Sequence, residues 1–312
     1  MSHMAVCIVN YNTRAQLRAS LETAVRQEPV ELLVADNAST DGSAEMVHDE
    51  FPSVLLLENQ RNFGYGTAAN QLIAMSRAKY VCLLNADTLL KPGALQALST
   101  YLDRHPWVAA VGPRVLNPNG TLQRSCFPFP TPLAVFLDVS NLARFGGYIA
   151  GTEIGRLTWE HAIGCPVPWV LGAALAMRRE AFEMVGGFDE SFFLYYEEAD
   201  LCYRLQKLGW QVHFAPVTEI THFGAASTCQ RNGDMKVQLF SSLMQFYRKH
   251  YTRTDRAELA VLIESVALAR FVRDLISLRV TADLERRTEL ESNISAWRRL
   301  LRGHWRRRFV YG

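Results

Sequence analysis

The first hundred residues alternate between short apolar runs and polar breaks. Residues 5–10, 32–35, 54–58 and 80–84 are apolar runs of strand length. Between and after them, residues 14–27, 44–50, 66–78 and 92–105 carry apolar side chains at helical spacing; in the first of these, Leu17, Leu21, Ala24 and Val25 share one side. Pro92 stands in a first helical turn, where its missing N–H costs nothing. Turn-forming residues close the apolar runs, most densely in Asp36-Asn37-Ala38-Ser39-Thr40-Asp41-Gly42-Ser43. This alternation predicts an α/β chain built on a doubly wound, mostly parallel sheet with helices on both faces.

After residue 107 the rhythm changes. Residues 108–113 and 169–178 read as strands, 211–215 as one more, and a helix begins near Glu197. Residues 128–168 are rich in Pro, Gly and aromatics and read as a mobile insertion. Residues 236–250, 258–278 and 284–301 read as helices, so the chain should end in a helical extension. The expected organisation is a catalytic domain over 5–250, divided into halves at 5–107 and 108–250, followed by C-terminal helices over 251–312.

Composition narrows the function classes. Hydrophobic residues make up 49% of the chain, enough for a large core, and the net charge of +2 gives no reason to expect a nucleic-acid partner. Six cysteines lie far apart without a CxxC pair, which points to buried free thiols in a reducing, cytoplasmic compartment. No stretch reaches the roughly 18 apolar residues of a membrane span. No secretory leader is visible, and Met1-Ser2-His3-Met4 resembles a cloning remnant. Charge is concentrated only at the C-terminus, in Arg298, Arg299, Arg302, Arg306, Arg307 and Arg308, near Trp297, Trp305 and Phe309. With the apolar stripe Leu259, Leu262, Ile263 and Val266, this end suits peripheral contact with the inner face of the cell membrane; packing on the catalytic domain or in a homodimer suits it equally.

In an open parallel sheet, ligands bind beyond the carboxyl ends of the strands. Polar clusters fall there four times: Asn10-Tyr11-Asn12-Thr13, Asp36-Asn37, Asn62-Phe63-Gly64-Tyr65-Gly66 and Asn85-Ala86-Asp87. Asp36 and Asn37 offer the acceptors and donors a pyrimidine edge needs, or form an Asx turn. Tyr11 can pack on a base or ribose. Gly64 and Gly66 allow close backbone approach at a helix start, to an anion or merely within a tight turn. Asp87 suits an Mg²⁺ or Mn²⁺ ligand, and equally a helix cap before Pro92. Glu197-Glu198-Ala199-Asp200 follows five largely aromatic residues that would desolvate a carboxylate and raise its basicity; acids are also ordinary in a first helical turn. His222, in a predicted loop, suits a metal or phosphate contact or a structural role.

In this order the motifs resemble the family 2 glycosyltransferases, and within them the bacterial rhamnosyltransferase-like branch. The carriers are Val9-Asn10-Tyr11-Asn12, residues 36–43, Asn62 to Gly66 with Asn70, Leu83 to Asp87, Gly172-Ala173, Gly187-Phe188-Asp189-Glu190, Glu197 to Cys202, and His222, spanning roughly residues 5–250. The resemblance implies a GT-A, Rossmann-like fold and an inverting, metal-dependent hexosyltransferase. It implies that Asn10, Tyr11, Asn12, Asp36, Asn37, Asn62, Gly64, Asn85, Ala86 and Asp87 bind the donor. Asp87 matches the last residue of the family's DXD metal motif and His222 a late histidine on the metal or diphosphate, while Asn85 replaces the first acid. Glu198 matches the catalytic base, with Glu197 as the alternative; Trp169, Gly172, Ala173 and Asp200 fall on the acceptor side, Trp169 as a sugar platform or a core residue and Asp200 rather as a residue that orients its neighbours or caps the helix. The implied donor is dTDP-rhamnose or a UDP-sugar, and the implied acceptor a glycan or polyprenyl-diphosphate-linked sugar. A nucleotidyltransferase would carry a Gly- and Arg-rich loop at residues 10–13, and a dinucleotide oxidoreductase a GxGxxG; neither is present. A non-catalytic sugar-binding module remains the reading from another class.

Overall fold

The computed structural model describes residues 4–27, 30–132, 134–135, 163–224 and 232–302. They fall into two compact units, one comprising the described residues of 1–129, 159–193 and 197–227, the other those of 130–158, 194–196 and 228–312. Most of the expected insertion, and the C-terminal Trp305, Arg306, Arg307, Arg308 and Phe309, lie outside the described residues.

In the first unit, β1 (Met4–Asn10), α1 (Arg14–Ala24), β2 (Val30–Asp36), α2 (Ser43–Glu50), β3 (Leu55–Glu58), α3 (Tyr65–Met75), β4 (Tyr80–Asn85), β5 (Thr88–Leu90) and α4 (Ala94–Arg104) follow the predicted alternation. The second half supplies β6 (Val108–Leu116), β7 (Leu122–Gln123), β8 (Cys126–Phe127), β9 (Cys165–Pro166), β10 (Trp169–Val170), β11 (Ala174–Arg178), α5 (Arg179–Met184), α6 (Glu197–Lys207) and β12 (Gln211–His222). The main sheet runs β3-β2-β1-β4-β11-β6-β12-β5. It is parallel from β3 to β4, and again between β6 and β12; β11 is antiparallel to both its neighbours.

Helices cover both faces because strand side chains alternate. Val6 and Ile8 of β1 face a core shared with Leu17 and Leu21 of α1, Met46 of α2 and Leu98 of α4. Ala5 and Cys7 face the opposite core, built with Leu72 of α3, Phe182 of α5 and Leu201 of α6. The five described cysteines are free, and four of them are buried.

Three departures from the sequence reading have physical causes. Residues 169–178 do not form one strand: β10 pairs with β8 in a separate two-stranded sheet, β11 joins the main sheet, and residues 171–173 turn between them. The expected strand at 211–215 continues to His222, because a register shift between Phe214 and Glu219 takes Pro216 out of the ladder where its missing N–H would matter. Residues 88–90, between the strand expected at 80–84 and the helix expected at 92–105, form β5 on the edge of β12.

The second unit contains α7 (Asn232–His250), α8 (Arg253–Val280) and α9 (Leu284–Leu301), which pack on one another. Thr252 starts α8 with a capping box: its hydroxyl accepts from the Asp255 N–H while Asp255 accepts from the Thr252 N–H. Buried Asp274 of α8 accepts from the Trp297 indole of α9 at 2.9 Å, fixing the register of the two helices. Leu259 and Ile263, half of the stripe read equally as a membrane-facing or a packing face, are buried inside this unit. At these two positions the apolar face is a packing face.

Candidate functional site

The parallel register brings the strand ends level. Asn10 lies opposite Asp36, and Val9 opposite Asn85. The first three loops are laced together by short polar side chains. Asn10 Nδ2 donates to Asp36 Oδ1 at 2.7 Å, and Thr13 Oγ1 donates to Asn10 Oδ1 at 2.6 Å. Asp36 also accepts from the backbone N–H and hydroxyl of Ser39, an Asx turn. Asn12, with a left-handed φ of 52°, accepts from the Thr40 N–H at 2.8 Å. Asn37 Nδ2 donates to the Gly64 carbonyl at 3.1 Å and to Asn62 Oδ1 at 3.3 Å, while Asn59 donates to Asn37 Oδ1. Asn10, Asp36 and Asn37 are all buried; Tyr11 and Asn62 are half-buried. The two readings of Asp36 therefore coexist: its turn bonds shape the loop, and the loop fixes what a ligand would meet.

Gly64 joins this half to the next. Its φ is 87°, and a Cβ there would stand 2.4 Å from the Phe193 carbonyl, the same oxygen that accepts from the Tyr65 N–H at 2.9 Å. Asn70 makes a second joint, donating to the Phe188 carbonyl and accepting from the Phe188 N–H. The Gly187-Phe188-Asp189-Glu190 motif thus holds the segment before α6 against α3.

Pairing of β5 with β12 carries His222 to Thr88, next to Asp87. His222 Nε2 stands 3.2 Å from Asp87 Oδ1 and 3.2 Å from Asn85 Nδ2, while Nδ1 stands 2.7 Å from Gln123 Oε1. Gln123 Nε2 donates to Asn117 Oδ1 and the His222 carbonyl, which orients its amide so that Oε1 faces the ring. The neutral ring then carries its proton on Nδ1 and turns the Nε2 lone pair towards Asp87. Two acceptors at this distance require a proton or a cation between them. Two neighbouring ligands of an octahedral ion, each at about 2.1 Å, stand roughly 3 Å apart, so the pair fits Mg²⁺ or Mn²⁺. Among the described residues no third His, Cys, Asp or Glu joins them. The remaining coordination would fall to water and diphosphate oxygens.

The same place meets α6 through two backbone residues. The Ala173 carbonyl accepts from the Asn85 N–H at 3.1 Å and from Thr88 Oγ1 at 3.1 Å. Its neighbour Gly172 donates its N–H to Glu198, and a Cβ on Gly172 would lie 3.5 Å from Glu198 Oε1. Glu198 and the residues that bracket Asp87 thus touch one dipeptide. Glu198 is half-buried and Glu197 buried, and Oε2 of each is shielded from solvent with no hydrogen-bond partner among the described residues. Burial, reinforced by the charge of Glu198, holds Glu197 protonated well above the usual carboxylate range. Burial also raises Glu198, opposed by its own N–H and that of Gly172. Tyr65 completes the cluster. Its hydroxyl is buried without a partner among the described residues, and burial plus the two carboxylates push its titration well above the usual phenol range.

Asp200, expected on the acceptor side, is fully buried and accepts from Arg204 Nε at 2.7 Å, while Arg204 also holds the Val185 and Gly187 carbonyls. Through Arg204 it clamps the loop before α6, which is the neighbour-orienting role the sequence also offered for it. Trp169 donates its indole N–H to the Pro128 carbonyl and stacks one face on Phe127. Two contributors escaped the sequence reading. Tyr65 was hidden inside a motif read for its glycines, and Gln123 has no local signal because its role is set by a strand pairing.

The description "Glycosyl transferase family 2" matches residues 5–136, and "Glycosyl transferase family group 2" matches residues 131–269. The N-acetylglucosaminyl-diphospho-decaprenol L-rhamnosyltransferase of Mycobacterium tuberculosis is 34% identical over 248 residues, covering 72% of this chain and 77% of the relative. The chain belongs to glycosyltransferase family 2. Within that family it is rhamnosyltransferase-like. A more distant relative is the low-salt glycan biosynthesis hexosyltransferase Agl10 of Haloferax volcanii, 23% identical over 87% of this chain and 85% of its own length. The mannosyltransferase PcManGT of Pyrobaculum calidifontis, solved with GDP-Man and Mn²⁺, superposes with a TM-score of 0.52 at 18% identity, covering 96% of this chain and 86% of that one. GalNAc-T7, solved with UDP, GalNAc and Mn²⁺, gives 0.52 at 16% identity over 70% of this chain and 42% of its own. These likenesses give the GT-A fold. No helix among the described residues is long and apolar enough to cross a membrane.

Proposed function

We propose that this glycosyltransferase moves L-rhamnose from dTDP-rhamnose to a polyprenyl-diphosphate-linked sugar or related glycan in cell-surface polysaccharide synthesis, with inversion at the anomeric carbon. The observation that supports the reading is that the Gly172-Ala173 dipeptide meets Glu198 through Gly172, and through the Ala173 carbonyl meets Asn85 and Thr88, the residues that bracket Asp87 of the Asp87–His222 pair. The named activity of the mycobacterial relative supports the sugar and the lipid-linked acceptor. An acceptor of that kind puts the enzyme at the inner face of the cell membrane.

Asn10, Tyr11, Asn12, Asp36, Asn37, Asn62 and Gly64 shape the nucleoside pocket, and Asn85, Ala86 and Asp87 address the diphosphate and donor sugar. Asp87 and His222 would hold Mg²⁺ or Mn²⁺, whose positive charge eases departure of the nucleoside diphosphate. Glu198 takes the proton of the acceptor hydroxyl. The acceptor oxygen then bonds to the anomeric carbon as the bond to the diphosphate oxygen breaks on the opposite face. One displacement suffices, and no enzyme-bound sugar is formed. Glu197, held neutral, leaves the single negative charge to Glu198. Gly172 and Ala173 let the acceptor approach closely, with Trp169 beside them as the sugar platform.

The test is transfer from dTDP-rhamnose, with UDP-sugars in parallel, to a short-chain lipid-diphosphate N-acetylglucosamine, with and without Mn²⁺, and NMR of the product anomer. Transfer from dTDP-rhamnose with the opposite anomeric configuration is expected. A retained configuration, or turnover only with a UDP-sugar, would overturn the mechanism or the donor respectively.

A further inference from the structure

Helix α8 is apolar on two faces. Leu259, Ile263 and Ala267 are buried against the other helices of its unit. A second stripe, Val261, Ser265, Leu268, Val272, Leu275 and Arg279, recurs at alternating steps of four and three, the spacing of a coiled-coil seam, with Ile276 beside it. Val261 and Ile276 are each 61% exposed and Leu268 54%. Between residues 261 and 276 this face carries no charge: Asp274 is buried on Trp297, Arg273 pairs with Asp274, Arg270 lies over the Trp297 ring, and Glu264 stands at the rim.

We propose that this outer face of α8 is a self-association surface on which two copies of the chain pair antiparallel. The exposed Val261, Leu268, Val272, Leu275 and Ile276 offer roughly 430 Å² per copy, or about 850 Å² for two, the size of a weak, reversible interface. With two antiparallel copies centred between Leu268 and Val272, Val272 of each copy meets Leu268 of the other, Leu275 meets Ser265 and Val261 meets Arg279, so the apolar contact lies at the centre of the seam. Charge selects the direction. Glu258 and Arg279, both exposed, lie three heptads apart at the two ends of the seam. A parallel pair would oppose Glu258 to Glu258 and Arg279 to Arg279. An antiparallel pair centred between Leu268 and Val272 brings each Arg279 to within about a helical turn of Glu258 on the other copy. A lipid surface fits less well, since α8 carries five arginines against four acids and its rim is mixed in sign, whereas a surface-binding helix has a basic rim.

Light scattering or sedimentation of the full chain at tens of micromolar tests the surface. The wild type is expected at the mass of two copies, and Leu268→Glu and Ile276→Lys each at half that mass, with unchanged circular dichroism and melting because both positions are exposed. Glu258→Arg should weaken the dimer, and Glu258→Arg combined with Arg279→Glu should restore it. A monomeric wild type, or a dimer indifferent to both stripe variants, overturns the surface. A monomer that instead floats with phosphatidylglycerol vesicles in a Leu268-dependent way overturns it in favour of a membrane. Failure of the double charge exchange to restore the dimer overturns the antiparallel arrangement.

Discussion

The loops after β1, β2 and β3 and the start of α6 are both polar and both buried, yet they are built on opposite terms. In the first region nearly every side-chain group has a partner: Asn10 with Asp36 and Thr13, Asp36 with Ser39, Asn37 with Asn59, Asn62 and Gly64. In the second, Glu197, Glu198 and Tyr65 each keep a buried oxygen unmatched among the described residues. A buried polar group without a partner costs about 1–3 kcal/mol, more when charged. A satisfied network suits shape and fixed orientation. An unsatisfied one suits a step in which a proton or hydroxyl arrives with the substrate. On the proposed function, the contrast separates a scaffold that defines the donor from a centre that reacts.

The largest test is Glu198→Gln. Transfer should fall by about 10²–10⁴-fold, the worth of a general base, while donor affinity measured by calorimetry stays near wild type. Near-normal turnover in this variant would move the reacting group elsewhere. Next comes the cation pair. Asp87→Ala or His222→Ala should weaken Mn²⁺-dependent donor binding by roughly 10–100-fold, and Gln123→Ala by about tenfold, since it only fixes the ring and its tautomer. Donor titrations with and without Mn²⁺ check the ranking, and an equal loss in both conditions would remove the metal from the account. Gly64→Ala tests the joint between the two regions. A left-handed φ and a 2.4 Å approach to the Phe193 carbonyl should lower stability by about 2 kcal/mol or more, read by urea unfolding.

The smallest expected effect is the most discriminating for the two glutamates. A carboxyl whose folded pKa is raised favours the folded state when protonated, and that advantage is lost as pH rises from the unfolded value, about 4.3, through the folded one. Glu197→Gln cannot ionise. Its melting temperature should equal or trail wild type in acid and exceed it increasingly towards neutral pH. Its transfer rate should keep the acid limb set by Glu198. Loss of transfer in Glu197→Gln, with Glu198→Gln active, would exchange their roles.

Much of the first region was legible in the sequence because its causes are local. Residues 36–43 close a strand with turn chemistry that acts over three or four positions, and the strand ends themselves announce where polar loops gather. The carboxylates at 197–198 were legible as a pair behind aromatics, but not their inequality, which depends on Gly172 reaching one of them from a turn 26 residues earlier in the chain. An orienting role for Asp200 was legible in the sequence, but not its partner, because Arg204 meets it only through helix phase, one turn further on the same buried side. The strand at 211–222 was cut short by Pro216, a sound local signal that a register shift accommodates.

By itself the sequence determined the family, the doubly wound sheet and the positions of its strand ends, since side-chain period and turn residues act within a few positions. Tertiary structure alone decided that His222 meets Asp87, that Gln123 sets its tautomer, that Tyr65 shares the acids' burial, and which face of α8 stays uncovered. Those outcomes depend on strand pairings and helix phases between segments far apart in the chain, and no local pattern encodes the partner of a buried group.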